Sequence, residues 1–312
     1  MQVASFYRFV PFGSEELPLW RARLLALGSE AGLKGTVLLA REGINGTVCG
    51  PASAVAALLA LLEADPRLAS LEVKRSEATG AVFHRFKVRL KSEIVTMAEP
   101  SAQPALGTGI PVPHAHWNAL LDDPDTLTID TRNHYEVALG SFAGAIDPGT
   151  ENFSDFPAWV ERHLRPLVAQ RRPQRLALFC TGGIRCEKAT AHLLNQGFDN
   201  VLQLQGGILN YLEQVPEAES RWHGECYVFD QRVALDHRLQ PGTYHVCHAC
   251  GLPLAPADLG LESYVAGVSC RHCIDRFSDA DRERFAERQR QMRRAEASGV
   301  AHIGRVMPTV GG

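Results

Sequence analysis

Hydrophobic and polar positions switch period several times along the first 97 residues. Residues 5–12 (SFYRFVPF) alternate as a strand does, and residues 17–33 space their apolar side chains as a helix that ends at Gly32. Residues 35–50 (GTVLLAREGINGTVCG) predict two strands joined by a turn around Gly43-Ile44-Asn45-Gly46. A second helix is predicted over 52–68, and LEVKRSE (71–77) leads to a last strand within 82–95. The order β-α-β-β-α-β predicts a ferredoxin-like domain over 1–97, a fold that hosts many functions and so fixes none. Residues 98–116 are rich in Pro, Gly and Ala without an apolar period and read as a linker.

From 117 to 219 strands and helices alternate. Residues 127–132 form a strand, a helix starts near Asn133, and a short strand and turn cover 142–149. A helix covers 156–170, followed by a fully apolar strand at 175–180. A helix then stops at Gly197, a strand covers 200–207, and a last helix covers 208–215. This pattern predicts an α/β domain with a parallel sheet and helices on both faces. A Cys-rich segment (220–275) and an Arg-rich tail (276–312) complete the chain.

Composition changes the picture only by exclusion. The 312 residues are 45% hydrophobic and 21% charged, which excludes a disordered chain, a fibrous repeat and a coiled coil. No apolar run reaches the ~18 residues that span a bilayer. The start has no basic stretch followed by an apolar one, so no secretion signal is expected. Eight Cys are too sparse for a disulfide scaffold, and a cytoplasmic, thiol-preserving location is expected.

The net charge of −3 hides a division. There are 12 basic against 9 acidic residues in 1–97, 12 against 21 in 98–275, and 8 against 5 in 276–312. Basic ends around an acidic middle suggest a polyanion partner, or simply solvated surface. In the last strand of the first domain Arg85, Lys87, Arg89 and Lys91 alternate with Phe86, Val88 and Leu90. This places four cations on one sheet face, where they would either track a phosphate backbone or form an ordinary outer face.

Cys180 ends the apolar strand and is followed by Thr181-Gly182-Gly183-Ile184-Arg185 and a helix. Ligands bind at the carboxyl ends of parallel strands. Two glycines let successive N–H groups point inward as an anion nest, and the helix adds the positive end of its dipole. A thiol there should be partly thiolate at neutral pH, so Cys180 is predicted to be a nucleophile, with Arg185 adding fixed charge. A buried structural cysteine is the alternative. A Cys-x5-Arg phosphatase is a poorer match, because this loop is one residue shorter. Cys186 is either a core residue or a resolving thiol.

The segment IDTRNHYEVALGSFAGAID, the loop CTGGIR and LQLQGGILNYL together resemble a rhodanese domain. The resemblance implies that Cys180 carries a persulfide and that Asp130 and Arg132 support the edge of its site. The fuller string CTGGIRCEKA, the N-terminal EGINGTV and the downstream YVFDQRV resemble a narrower family, the bacterial rhodanese-domain tRNA uridine(34) hydroxylases, over roughly residues 1–275. That resemblance implies oxygen-dependent formation of 5-hydroxyuridine at the tRNA wobble position, with tRNA as partner and molecular oxygen as co-substrate. A rhodanese-type sulfurtransferase using the same cysteine, and a zinc-ribbon adaptor with an inactive rhodanese scaffold, are the competing readings.

Cys247-x2-Cys250 and Cys270-x2-Cys273 are separated by 19 residues, a spacing that fits a four-Cys zinc ribbon. Four thiolates leave no open position, so the Zn2+ would be structural. Two redox-active cysteine pairs are the alternative. Arg282, Arg284, Arg288, Arg290, Arg293 and Arg294 sit on a predicted helix, which is either solvated or a contact for tRNA. No G-x-G-x-x-G signature for flavin or nicotinamide is present. The two H-x-E triplets, at His134 and His223, are no more than chance would supply for a non-haem iron site.

Overall fold

The computed structural model describes residues 1–298. It divides into two compact units, 1–240 and one that begins at Pro241. Among the described residues no helix is long and apolar enough to cross a membrane.

The first unit opens with β1 (Gln2–Phe9), α1 (Glu16–Glu30), β2 (Lys34–Ala40), β3 (Gly43–Gly50), α2 (Ala52–Glu63), β4 (Glu72–Glu77) and β5 (Phe86–Leu90). The sheet order is β4-β1-β3-β2-β5. The first four strands make the antiparallel ferredoxin-like core, and β5 joins the edge parallel to β2. Two expectations change here. LEVKRSE does not lead to the last strand of the core but supplies it, as β4, and the cation-bearing strand is an addition. As an edge strand β4 buries no residue fully, so its hydrophobic signal is weak. The β2–β3 turn lies at Arg41-Glu42, and Gly43-Ile44-Asn45-Gly46 runs inside β3. Gly43 is there because a Cβ would lie 2.1 Å from the Arg8 carbonyl of the neighbouring strand.

The helices cover one face of this sheet, where Phe6, Val37, Leu39, Ile44 and Val48 meet Leu24, Leu58 and Leu62. The other face is polar. Register lines up Lys74, Ser5, Thr47, Thr36 and Lys87 in one row across it, and Glu72, Tyr7, Asn45, Leu38 and Arg89 in the next.

The α/β region follows as β6 (Ile110–Val112), α3 (His114–Leu121), β7 (Thr126–Asp130), α4 (His134–Val137) and β8 (Gly140–Phe142). Then come α5 (Phe156–Trp159), continued through a π turn into α6 (Arg165–Arg171), β9 (Arg175–Phe179), α7 (Ile184–Asn195), β10 (Val201–Leu204) and α8 (Gly207–Gln214). Its parallel sheet runs β6-β10-β9-β7. The segment 98–116 contributes β6 to this sheet. Residues 220–240 also belong to the first unit: β11 (Trp222–Gly224) pairs with β8, and β12 (Cys226–Tyr227) pairs with β13 (Ala234–Leu235). The Cys-rich segment is thus divided between the two units. The second unit holds β14 (His245–Val246), β15 (Pro253–Leu254) and α9 (Asp279–Ala297). The part of the Arg-rich tail from 299 to 312 lies outside the described residues.

Within the first unit, the CTGGIRCEKA and EGINGTV strings meet. Lys188, 2% exposed at its side chain, donates to Glu42 at 2.8 Å, Glu93 at 2.5 Å and the Val95 carbonyl at 3.0 Å. Asn45 donates to the Ile94 carbonyl at 2.9 Å. Lys188→Met leaves two partly buried carboxylates facing each other without a cation. It should destabilise the first unit by about 2–4 kcal/mol, read as a lower urea midpoint. An unchanged midpoint would show that the cluster holds nothing together.

Candidate active site

Cys180 follows β9, and α7 starts four residues later. The thiol is fully buried, and the Gly183 N–H donates to its Sγ at 3.1 Å. Gly183 has φ +106°, open only to glycine without strain, and a Cβ there would meet the Tyr7 hydroxyl at 2.7 Å. Behind the loop, the N–H groups of Ile208 and Leu209 donate to the carbonyls of Cys180 (2.9 Å) and Thr181 (3.1 Å). Gly207 permits this approach, since a Cβ there would lie 2.5 Å from the Cys180 carbonyl oxygen.

Burial by itself would raise the Cys180 thiol. The neighbouring Cys186 thiol, the positive Arg185 and the amides of Cys186 and Gly183 outweigh it and hold the group well below the usual thiol range. Cys186 is pushed the other way, first by burial and then by the charge on Cys180. It is a buried core residue whose sulfur lies 3.6 Å from the Thr131 hydroxyl.

The guanidinium of Arg185 does not face the loop alone. It makes a bidentate pair with Glu136 at 2.6 and 2.8 Å and also donates to the Thr181 hydroxyl at 3.3 Å. Glu136 belongs to the first H-x-E triplet, and both its oxygens are taken by Arg185. The triplet's His134 instead bonds Asp147 at 2.7 Å. Asp130 and Arg132 lie deeper. They form a pair with no exposed side-chain surface, and Arg132 also binds the carbonyls of Glu136 and Gly140. They brace the residue that holds Arg185 and do not line the cavity.

That cavity, about 560 Å³, is enclosed by the Cys180 loop, the polar face of the N-terminal sheet and the β12–β13 hairpin. Cys180, Thr181, Gly182, Ile184 and Arg185 line one side. Ser5, Tyr7, Thr36, Asn45, Thr47 and Lys74 line the sheet side, and Phe229, Asp230 and Arg232 the third. The size suits a drug-sized or nucleoside-sized ligand. Tyr7 donates to Glu187 at 2.7 Å. Burial raises the Glu187 carboxyl, with Glu72 adding repulsion. Asp230 and Arg232 form a buried pair, and Arg232 reaches Ser76 at 3.0 Å. Phe229 is 62% exposed, with the Arg185 guanidinium 5.8 Å from its ring.

The pattern of residues along the chain did not point to Tyr7, Lys74 and Glu187. The DQRV string carried a signal for Asp230 and Arg232, but only through resemblance. Lys87 and Arg89 share the face of the sheet that floors the cavity. Arg85, Arg89 and Lys91 are exposed and Lys87 is half-buried.

In the second unit the sulfurs of Cys247, Cys250, Cys270 and Cys273 all lie within 4.8 Å of one another. Close pairs are at 3.6, 3.7 and 3.9 Å. Tetrahedral Zn–S bonds of about 2.3 Å place sulfurs about 3.8 Å apart, so the four residues fit the ion. On α9, Arg284 and Arg290 pair with Asp281 and Glu287, and Arg288 donates to the His248 carbonyl. Much of the helix's positive charge is therefore neutralised within the unit.

Residues 1–94 match the family model described as the UPF0176 acylphosphatase like domain, and residues 114–214 match the Rhodanese-like domain. A tRNA uridine(34) hydroxylase of Synechococcus sp. (strain CC9605) is 58% identical over 295 residues, covering 93% of this chain and 90% of the relative. One of Parasynechococcus marenigrum (strain WH8102) is 56% identical, with 93% and 92% covered. One of Prochlorococcus marinus (strain NATL2A) is 47% identical over 291 residues, with 93% and 91% covered.

Proposed function

The chain belongs to the tRNA uridine(34) hydroxylase family, and from that premise we propose that it hydroxylates the wobble uridine of tRNA to 5-hydroxyuridine. Molecular oxygen would be the co-substrate, and the reaction would take place in the cytoplasm, where tRNA is modified. Cys180 is the reactive thiol. The Gly183 amide stabilises its thiolate, and Arg185, fixed by Glu136, supplies positive charge beside it. Thr181, Gly182 and Ile184 shape the loop, while Asp130 and Arg132 support it from behind. The observation that carries this reading is the cavity itself. A depressed thiol faces a polar sheet floor across a space large enough for a nucleoside.

A sulfurtransferase carrying a persulfide on Cys180 would use the same loop. Thiosulfate, however, needs far less room than this cavity offers. The deciding experiment incubates the protein with undermodified tRNA in air and digests the product to nucleosides. Appearance of 5-hydroxyuridine supports the proposal. Its absence, with rhodanese-level thiocyanate formation from thiosulfate and cyanide, would transfer the chain to the second reading.

Arg85, Lys87, Arg89 and Lys91 form the proposed tRNA contact, because the strand that bears them edges the floor of the cavity. Changing all four to Ala should weaken tRNA binding roughly 10- to 100-fold at moderate salt. The salt slope should fall by about one for each phosphate no longer neutralised. Filter binding at several salt concentrations checks it. An unaltered slope would place the tRNA on another surface. The four cysteines of the second unit would hold a structural Zn2+, whose closed shell offers no site for substrate.

A further inference from the structure

We propose that Lys74 is a positioning residue for Cys180: the N-terminal sheet extends an ammonium group that locks the Gly182–Gly183 peptide so that its N–H is aimed at Sγ. The inference rests on reading Cys180 as the reactive thiol.

Lys74 lies on β4, opposite Ser5 of β1, on the face that floors the cavity. Its Nζ donates to the Gly182 carbonyl at 2.5 Å and to the Gly206 carbonyl. The Gly182 carbonyl and the Gly183 N–H are the two ends of one planar trans peptide. Holding the oxygen on one side therefore fixes the N–H on the other, where it meets Sγ at 3.1 Å. Hydrogen bonds in such a chain also polarise one another, so a cation on the oxygen strengthens the N–H as a donor to a thiolate.

A lock is needed at this point. The peptide joins two glycines, and glycine crosses between positive and negative φ at little cost. A flip would turn a carbonyl oxygen toward the sulfur and replace attraction with repulsion. The second bond of Lys74 reaches Gly206, whose neighbour Gly207 packs against the Cys180 carbonyl. One ammonium thus ties together the loop and the glycine turn behind it.

The charged surroundings support a functional role over a structural one. Lys74 has no carboxylate at hydrogen-bond distance among the described residues. Burial pushes its ammonium down, while Cys180, Glu72, Cys186 and Cys226 favour it. Around Cys180 stand Arg185 and Cys186 on the loop and helix, and the Tyr7 hydroxyl, bonded to Glu187, on the sheet side. A cation held only by carbonyls has no ion pair to offset the cost of its desolvation, so its net contribution to folding is small. Its removal should therefore be felt at the thiol more than in the melting temperature.

The test titrates the ultraviolet absorbance of the Cys180 thiolate, as the difference between each protein and its Cys180→Ser counterpart, for the full chain, Lys74→Met and Lys74→Arg. Lys74→Met should raise the titration midpoint by about one to two pH units, a roughly 10- to 100-fold loss of thiolate below it, with little change in melting temperature. Lys74→Arg, which keeps the charge and can donate to both carbonyls, should restore most of the shift. An unmoved midpoint in Lys74→Met overturns the proposal, even if hydroxylation falls. A shifted midpoint in a protein whose wild type makes no 5-hydroxyuridine would leave this inference standing and remove the functional reading beneath it.

Discussion

Cys180→Ser is expected to abolish 5-hydroxyuridine formation, by at least about 1,000-fold, while leaving the fold intact. The serine hydroxyl fits where the thiol sits, so stability should change by no more than about 1 kcal/mol. What it cannot do is ionise. The loop amide, Arg185 and Cys186 together stabilise an anion at this atom. An alcohol stays protonated there and has no polarisable lone pair of comparable reactivity. The pH dependence carries the same sign. Because the thiol is held well below its usual range, its ionisation falls on the acid side of that range. The Cys180-dependent step should therefore be flat across the ordinary thiol range near ~8.5, and should fall only as acid protonates the depressed group. Nucleoside analysis after single-turnover incubation checks both points. Undiminished product from the serine variant would reduce the loop to a scaffold. A rate that climbs through the ordinary thiol range would mean that the amide and the guanidinium do not hold the anion.

Removing zinc should unfold the second unit. Its core is small: Cys247, Leu254, Cys270 and Cys273, with partly buried Ala249, Cys250, Leu259, Tyr264 and Phe277 against them. Structural zinc contributes on the order of 10–16 kcal/mol in comparable sites, far more than such a core contributes alone. The purified protein should carry one equivalent of Zn2+, and Cys270→Ala should lose it. A strong chelator should erase slow amide exchange in residues 245–277 while residues of β1–β5 stay protected. Retained protection in the second unit after metal loss would reassign the four thiols as redox pairs. The competing adaptor reading is tested by the same material. If the zinc-free protein still hydroxylates free tRNA, the ribbon serves neither the chemistry nor its minimal substrate.

Much of this molecule is legible in its residue order. Period-two and period-3.6 patterns located the elements of the first 97 residues, and the apolar run at 175–180 placed Cys180 at the end of a buried strand. Errors came where local signals mislead. The glycines of EGIN suggested a turn, yet Gly43 sits inside β3 because a neighbouring backbone passes too close for any Cβ. The sequence LEVKRSE looked like a lead-in because an edge strand buries little and so carries little hydrophobic pattern.

The site divides along the same line. Spacing alone grouped the four cysteines whose sulfurs cluster within 4.8 Å, and the residue order Cys-Thr-Gly-Gly-Ile-Arg singled out the loop whose Gly183 amide faces the Cys180 sulfur. These are short-range facts, set by one turn or one loop. Only the tertiary structure decided what stands opposite the loop. Lys74 meets Gly182 across 108 positions of sequence, Tyr7 meets Glu187 across 180, and Lys188 meets Glu42 across 146. Residues that far apart are brought together by the docking of one sheet against another, which depends on shape and on the burial of whole faces. No periodicity or motif spacing records that docking. The chain therefore declared its candidate thiol and a four-cysteine cluster that could hold a metal ion, while the fold chose the ammonium, the hydroxyl and the sheet floor that surround the thiol.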